Sequence, residues 1–296
     1  MLSILIPTYN YNITVLAHTL FEQVSLCGIP FEILVFDDGS NSELNIKNAE
    51  INNLPNTKFI AQKKNVGLSN NRNALAEAAK YNYYLFIDGD SLLPDSHFIS
   101  RYLESIHENV DVVYGGRIHP ETVEPERKLR WKYGIYREDL PANERLKKTY
   151  KCVLFNNTVI SKTVFEKIRF EKTIIQYGHE DTIFAYHLSL IEAHVIHIDN
   201  PVIHGDVDFN TVFFDKTHKS IENLNFIYKN KLIAPDFVTF LILFNKLKRF
   251  KLNYPLALIH TLFYTVFSKN LKSDQPSLFV FDMFRLSYFC SYNLKK

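Results

Sequence analysis

The sequence predicts an α/β protein: a mostly parallel sheet flanked by helices, followed by a helical C-terminal appendage. Two observations carry this. Over roughly the first two hundred residues, short apolar runs of strand length alternate with segments whose apolar residues recur every three or four positions, the pattern of βαβ units with right-handed crossovers. Beyond about Thr211 the alternation stops; Phe, Tyr, Leu and Lys dominate, and Pro235, Pro255 and Pro276 punctuate several helical stretches. Hydrophobic residues make up 46% of the 296 and charged residues 22%, so a sizeable core can form and neither region reads as disordered. The expected organisation is a sheet domain over 1–210 and a basic, aromatic-rich helical region over 211–296.

Taken in order, Leu2–Ile6 is a buried strand stopped by Pro7. Ile13, Leu16, Ala17, Leu20 and Val24 recur at helical spacing. Phe31–Phe36 is a second strand ending in Asp37-Asp38-Gly39-Ser40, and Thr57–Gln62 a third. Leu68, Leu75, Ala76 and Ala79 mark a second helix, which Ser69 or Asn70 would cap. Tyr83–Ile87 is a fourth strand ending in Asp88-Gly89-Asp90. Val112 to about Pro120 is a further strand containing Gly115-Gly116. The charged stretch Glu121–Arg145, around the single tryptophan Trp131, reads as an irregular surface excursion. Val153–Ile160 resumes strand character, Asp181–Ala193 is a helix with Phe184, His187, Leu188 and Ile191 on one face, and Val195–Ile198 is a last short strand. Parallel sheets bind ligands beyond the carboxyl ends of their strands. Three strands here end in polar, turn-rich sequence (Pro7-Thr8-Tyr9-Asn10, Asp37-Asp38-Gly39-Ser40 and Asp88-Gly89-Asp90) and would open onto one edge.

The formal net charge of +2 does not advertise a nucleic-acid partner. The charge is uneven, however: from Thr211 on there are about 13 Lys/Arg against about 5 Asp/Glu, and the remainder is net acidic. Three dispersed cysteines, Cys27, Cys152 and Cys290, suit neither a zinc site nor a disulfide framework and fit a reducing compartment. No basic leader with an apolar run and cleavage site opens the chain, and no run reaches about 18 uninterrupted apolar residues, so neither a signal peptide nor a membrane span is expected.

Several clusters carry chemistry. Carboxylates at i and i+2 after a strand, as in Asp88-Gly89-Asp90, can converge on one hard divalent cation that substrate phosphates complete; the plainer alternative is a polar turn with Gly89 at positive φ. Asp38 could accept a hydrogen bond from a uracil imide or a ribose hydroxyl, or be part of an ordinary Asp-Gly turn. Arg72 lies about one turn into its helix, where the dipole gives a cation nothing; it would meet a phosphate or remain solvated. Glu180-Asp181 opens a helix, so it is either helix-start chemistry or a general base. His204 is either a structural histidine or a third partner for an Asp88/Asp90 cation. No GxGxxG follows the first strand, which speaks against a dinucleotide-binding domain.

Together and in order, Ser3-Ile4-Leu5-Ile6-Pro7-Thr8-Tyr9-Asn10, Asp37-Asp38-Gly39-Ser40, Asn65-Val66-Gly67 with Arg72-Asn73, Asp88-Gly89-Asp90 and Glu180-Asp181 resemble glycosyltransferase family 2 over about residues 1–205. The resemblance implies a GT-A fold, a nucleotide-diphosphate sugar donor (UDP-linked by expectation) and an inverting, metal-assisted transfer to a hydroxyl of a glycan or lipid-linked acceptor. It implies that Pro7, Thr8 and Tyr9 line the base pocket, that Asp38 reads the base, and that Asn65, Gly67 and Arg72 lie near the nucleotide. Asp88 would sit by the ribose or the metal, Asp90 would bind Mn²⁺ or Mg²⁺ with His204 as a further ligand, and Asp181 would be the catalytic base with Glu180 beside it. The setting it suggests is bacterial surface polysaccharide or glycolipid assembly, in the cytoplasm or at the inner face of the membrane. There the basic aromatic stretch 230–290 could make peripheral contact, or serve as a helical cap or dimer face. Two rivals stay open: a nucleotidyltransferase, which would want a Gly-rich basic loop where Thr8-Tyr9-Asn10-Tyr11-Asn12 stands, and a non-catalytic nucleotide-sugar-binding protein, which would not need Glu180-Asp181.

Overall fold

A computed structural model describes residues 1–295; Lys296, the last residue of the 211–296 region, lies outside the described residues. The chain begins β1 (Leu2–Thr8), α1 (Thr14–Leu26), β2 (Phe31–Asp37), α2 (Leu44–Asn48), β3 (Thr57–Ala61), α3 (Leu68–Ala78), β4 (Tyr83–Ile87), β5 (Ser91–Leu92) and α4 (Phe98–Ser105). It continues β6 (Val112–Tyr114), β7 (Arg117–Ile118), α5 (Lys128–Arg137), α6 (Ala142–Leu146), β8 (Asn157–Ser161), α7 (Lys162–Ile168), α8 (Glu180–Leu190), β9 (Val195–His197) and β10 (Val202–His204). Four helices follow: α9 (Asn210–Lys229), α10 (Thr239–Arg249), α11 (Asn253–Leu271) and α12 (Leu278–Leu294).

The chain forms two compact units. The first comprises Met1–His119, Asp139–Ile175 and Glu180–Asp206. Its seven-stranded sheet has the order β3-β2-β1-β4-β8-β6-β9, with β8 antiparallel to both neighbours and every other pair parallel. This is the mostly parallel α/β sheet the alternation predicts. Strand periodicity sorts the core into two layers. Leu2, Ile4 and Ile6 of β1 join α1 (Leu16, Ala17, Leu20) and α4 (Phe98, Tyr102) on one face. On the other, Leu5, Leu34 and Phe86 meet α3, α7 and α8 through Leu75, Phe165 and Phe184. That second layer is strongly aromatic: Phe184 lies 4.4 Å from Phe155 and 4.6 Å from Phe170 between ring centres, which fixes the start of α8 against the sheet.

A second sheet, β5-β10-β7, is made of strands two or three residues long and was not predicted as a sheet; only β7 falls within an expected strand. Other boundaries also moved. The strand expected to stop at Pro7 runs through it to Thr8; the β4 register has ended at Leu5, so the missing N–H costs no ladder bond on that side. The strand expected from Val112 to Pro120 divides at Gly115-Gly116, with β6 serving the large sheet and β7 the small one. Helix α3 starts at Leu68 with Gly67 at the N-cap position and so has no side-chain cap; Ser69 and Asn70 lie inside its first turn, where the Asn70 amide donates to the carbonyls of Val66 and Lys172.

The second unit comprises Pro120–Glu138, Gln176–His179 and the chain from Val207 on. The stretch expected to be an irregular excursion, Glu121–Arg145, instead holds α5 and α6. Arg130 inside α5 is buried and paired with Glu138 at 2.8 Å, so a charged residue occupies a core position and hides the amphipathic pattern. Asn210 knits this unit: its Oδ1 accepts from the Leu129 N–H at 2.7 Å, and its amide donates to the carbonyls of Pro125 and Ser273. Phenylalanines fill the interior, with Phe214 against Phe284 at 4.8 Å and Phe244 against Phe289 at 4.7 Å. Among the described residues no helix is long and apolar enough to cross a membrane.

Candidate active site

The carboxyl ends of β1, β2 and β4 lie side by side, as their parallel registers require. At the end of β2 the two aspartates divide their work. Asp37 accepts hydrogen bonds from the Ser40 N–H at 2.9 Å and the Asn45 amide at 3.1 Å, and so shapes the turn. Asp38 faces the next loop, accepting from the N–H groups of Val66 (2.8 Å) and Gly67 (2.9 Å). Burial pushes its carboxyl up, and those two bonds oppose the shift. Each Asp38 oxygen keeps a further lone pair, so a ligand N–H can still be read there. Gly39 is at φ +67°, where a Cβ would collide with the Lys64 backbone, so this turn accepts only glycine. Exposed Asn65 closes the same loop by accepting from Gly67 N–H at 3.1 Å.

Helix α3 turns Asn71, Arg72 and Asn73 inward together. Asn71 binds the Phe36 carbonyl and Gln62; Asn73 exchanges two hydrogen bonds with the Phe170 backbone. Arg72 between them is 1% exposed and is therefore not a solvated arginine. Its guanidinium is 2.7 Å from Asp181 and 3.0 Å from Asp88, and it lies over the Phe170 ring at 5.2 Å. Burial alone would lower its pKa, but the carboxylates of Asp181, Asp88 and Glu180 outweigh it and the net shift is upward. This cation is what lets the two acids coexist, residues that are far apart in the chain.

Asp88 keeps 31% of its side chain exposed and Asp181 keeps 17%. Burial raises the Asp88 carboxyl; Arg72 opposes this, while Asp90 and Asp181 add to it. Glu180, buried beside Asp181, is pushed up to about 7, first by burial and then by its neighbour's charge. The chain enters α8 through two consecutive left-handed residues, Gly178 (φ 97°) and His179 (φ 72°). Gly89, between the two acids, is not left-handed, contrary to the turn reading; its requirement is space, since a Cβ would sit 3.0 Å from Thr8 Oγ1.

Asp90 belongs to a different neighbourhood. Antiparallel pairing of β5 with β10 sets His204 opposite Ser91, and the Gly205 N–H donates to the Asp90 carbonyl at 2.9 Å. His204 Nε2 thereby comes within 3.2 Å of Asp90 Oδ2. On its other side His204 Nδ1 is 3.2 Å from His119 Nε2, and His119 Nδ1 is 2.7 Å from Asp139 Oδ1. Tyr11 completes the surroundings: burial first, then Asp90 and Asp206, push its phenol up. Of the sites predicted at β1, Pro7 and Thr8 are buried and Tyr9 is exposed.

Motif reading did not mark His119, Asp139, Asp206, Tyr11 or Asn156. Asn156 has both amide atoms buried without a hydrogen-bond partner, and its carbonyl accepts from the Asp88 N–H at 3.3 Å; Thr8 Oγ1 is likewise unpartnered. Buried polar atoms left unmatched beside such acids are where a polar ligand would bind. No local pattern announces His119 or Asp139, because the β7–β10 pairing brings His119 to His204 and Asp139 joins only through its bonds to His119.

The mostly parallel sheet flanked by helices is the fold of the GT-A glycosyltransferases. The chain belongs to glycosyl transferase family 2, whose model matches residues 3–169. It is 35% identical over 119 residues to chondroitin synthase of Escherichia coli, a match taking in 38% of this chain and 17% of that much longer protein. Among solved structures it is similar to S. aureus TarS 1-349 in complex with UDP-GlcNAc (TM-score 0.51, 18% identity, 73% of this chain and 64% of that one). It is also similar to the mannosyltransferase PcManGT from Pyrobaculum calidifontis in complex with GDP-Man and Mn²⁺ (TM-score 0.50, 14% identity, 74% of this chain and 61% of that one). These structural likenesses concern the fold, and the chain spans less than two thirds of either protein.

Proposed function

We propose that the chain is an inverting glycosyltransferase that takes a sugar from a UDP-linked donor and passes it to a hydroxyl of a glycan or lipid-linked acceptor, in surface polysaccharide or glycolipid assembly. The observation that carries this is the Arg72 bridge between Asp88 and Asp181, which puts a carboxylate at the start of α8 next to the acid that follows β4. TarS binds UDP-GlcNAc in its solved complex, and the relationship to a chondroitin synthase supports a glycan product.

In this reading Pro7, Thr8, Tyr9, Asp38, Asn65 and Gly67 form the base and ribose side, with the Asp38 clamp on the 66–67 amides holding that wall rigid. Arg72 engages one oxygen of Asp181 and leaves the other for the acceptor. Asp181 takes the acceptor proton as the oxygen attacks the anomeric carbon from the face opposite the nucleotide. With its carboxyl pushed up to about 7, Glu180 carries less negative charge near neutral pH than an ordinary carboxylate would.

Asp90 and His204, with Asp88 alongside, would hold Mn²⁺ or Mg²⁺. Among the described residues no three His, Cys, Asp or Glu side chains form a group that could hold a metal ion, so the expected set of Asp88, Asp90 and His204 is not assembled as a triad. The pair still fits such an ion, because a carboxylate with 35% of its side chain exposed beside one imidazole leaves positions for phosphate oxygens and water. The nitrogen donor favours Mn²⁺ over Mg²⁺. When bound, the cation would offset the charge of the departing diphosphate.

The basic, aromatic C-terminal region is read as a peripheral contact with an anionic membrane. On α11, Tyr254, Leu258, Leu262 and Val266 are exposed at a spacing of four, and Lys246, Lys248, Arg249 and Lys251 precede them.

The test is UDP release from a panel of UDP-sugars with Mn²⁺ and several acceptors. Asp181→Ala should lower turnover by about 10²–10⁴-fold at saturating donor and acceptor. Near-normal turnover in that variant would remove the proposed base and with it the mechanism.

A further inference from the structure

We propose that the α10–α11 hairpin inserts into an anionic lipid surface: Phe250 of its turn and the outer face of α11, centred on Leu258 and Leu262, enter the acyl region, with α11 lying in the plane of the bilayer. This rests on the membrane reading of the C-terminal region and deepens it, from contact at the headgroups to burial among acyl chains.

Charge is the first indication. Between Asp236 and Asp274 the chain holds no acidic residue, while Lys246, Lys248, Arg249, Lys251, Lys269 and Lys272 are all cationic. Lys248 lies over the Tyr228 ring and Lys272 over the Phe214 ring. Lys246, Arg249, Lys251 and Lys269 are exposed. Such a stretch is drawn to anionic headgroups. The same face of a second copy would bring further cations and no acid to meet them.

Shape is the second. Helix α11 packs on α12 with one side, through Phe267 against Phe284 at 6.4 Å and His260 against Tyr288 at 5.0 Å between ring centres. At about 100° per residue the opposite arc holds Tyr254, Leu258, Thr261, Leu262, Thr265 and Val266, uncharged and all exposed. Single exposed leucines are ordinary on a protein surface, but a continuous apolar face marks a binding surface. Tyr254 opens the arc and Lys269 closes it, each able to keep its polar tip among headgroups while its apolar body goes deeper. Phe250 is 64% exposed between Arg249 and Lys251, where a contact made by charge alone has no use for an aromatic ring. Helix α11 is not long and apolar enough to cross a bilayer, so an apolar face on one side seats it in the interface plane.

The experiment uses the full-length protein with vesicles of phosphatidylserine and phosphatidylcholine brominated along its acyl chains. Phe250→Trp and Leu262→Trp should each show tryptophan quenching beyond that of wild type, whose single Trp131 lies in α5. Joint Leu258→Ser and Leu262→Ser should weaken vesicle binding by about tenfold or more, with the thermal midpoint unchanged because both positions are exposed. Flotation of both tryptophan variants without excess quenching, or unchanged vesicle affinity in the double serine variant, overturns insertion and leaves surface contact standing. No flotation of wild type overturns the membrane reading and this proposal together. A dimer in solution, seen by sedimentation and dissolved by the two serines, gives the face to a second copy and overturns the proposal as well.

Discussion

At the scale of single residues, the most informative is Arg72. Replacing it with methionine would leave Asp88 and Asp181 facing each other without a cation. Breaking a buried pair costs about 3–5 kcal/mol, and the exposure left to both acids lets water relieve part of it, so about 3 kcal/mol is expected from chemical denaturation. Arg72→Lys should fail differently, folding better than the methionine variant but with turnover impaired, because one ammonium cannot reach both acids through the fork that guanidinium provides. Glu180 carries the pH dependence. Its carboxyl is raised to about 7 from an ordinary 4.5, so the stability it contributes is fully present below about pH 4.5 and erodes as pH rises through about 7. Glu180→Gln should therefore lose less of its thermal midpoint than wild type between about pH 5 and pH 8; parallel curves would show that Glu180 titrates normally. The acids themselves were legible, because carboxylates after a strand or at a helix start stand out in any sequence. Their shared partner's role was not: an arginine in α3 reads the same whether it meets phosphate, water or two aspartates 16 and 109 positions away.

Among the elements, the turn after β2 and the loop before α3 constrain each other. Asp38 clamps the 66–67 amides, and Gly39 packs so tightly on Lys64 that no side chain fits. Gly39→Ala should displace this loop and weaken UDP binding, measured calorimetrically, more than it lowers the thermal midpoint. Most strands of the large sheet were visible as apolar runs because both faces are covered, whereas the edge strand β3, with Lys58 and Ala61 exposed, was marked by Phe59 and Ile60 alone. The small sheet was not, since strands of two or three residues carry no periodicity, although it is what delivers His204 and His119. Helices α5 and α6 were concealed for another reason: Arg130 and Arg145 are buried, and a core position filled by arginine looks like surface in a hydrophobic pattern.

For the whole molecule, the C-terminal region gives the clearest test. Flotation with phosphatidylserine vesicles at low salt should carry the protein upward. Reversing Lys246, Lys248, Arg249 and Lys251 to glutamate should abolish this, each cation near an anionic surface being worth about 1 kcal/mol. Equal flotation of the two proteins would end the membrane reading and leave the apolar stripe of α11 to another partner. The basic bias of this region was plain in the sequence, but its recruitment of 120–138 and 176–179 was not, because the two compact units interleave along the chain.

The arginine bridge also ties competence to completeness. Its two acids enter the fold at the end of β4 and the start of α8, so every motif of the proposed site could be synthesised, or survive a proteolytic nick, while the ensemble stayed inert. In a urea titration, turnover and near-ultraviolet ellipticity should vanish along one common curve, with no active partly unfolded species.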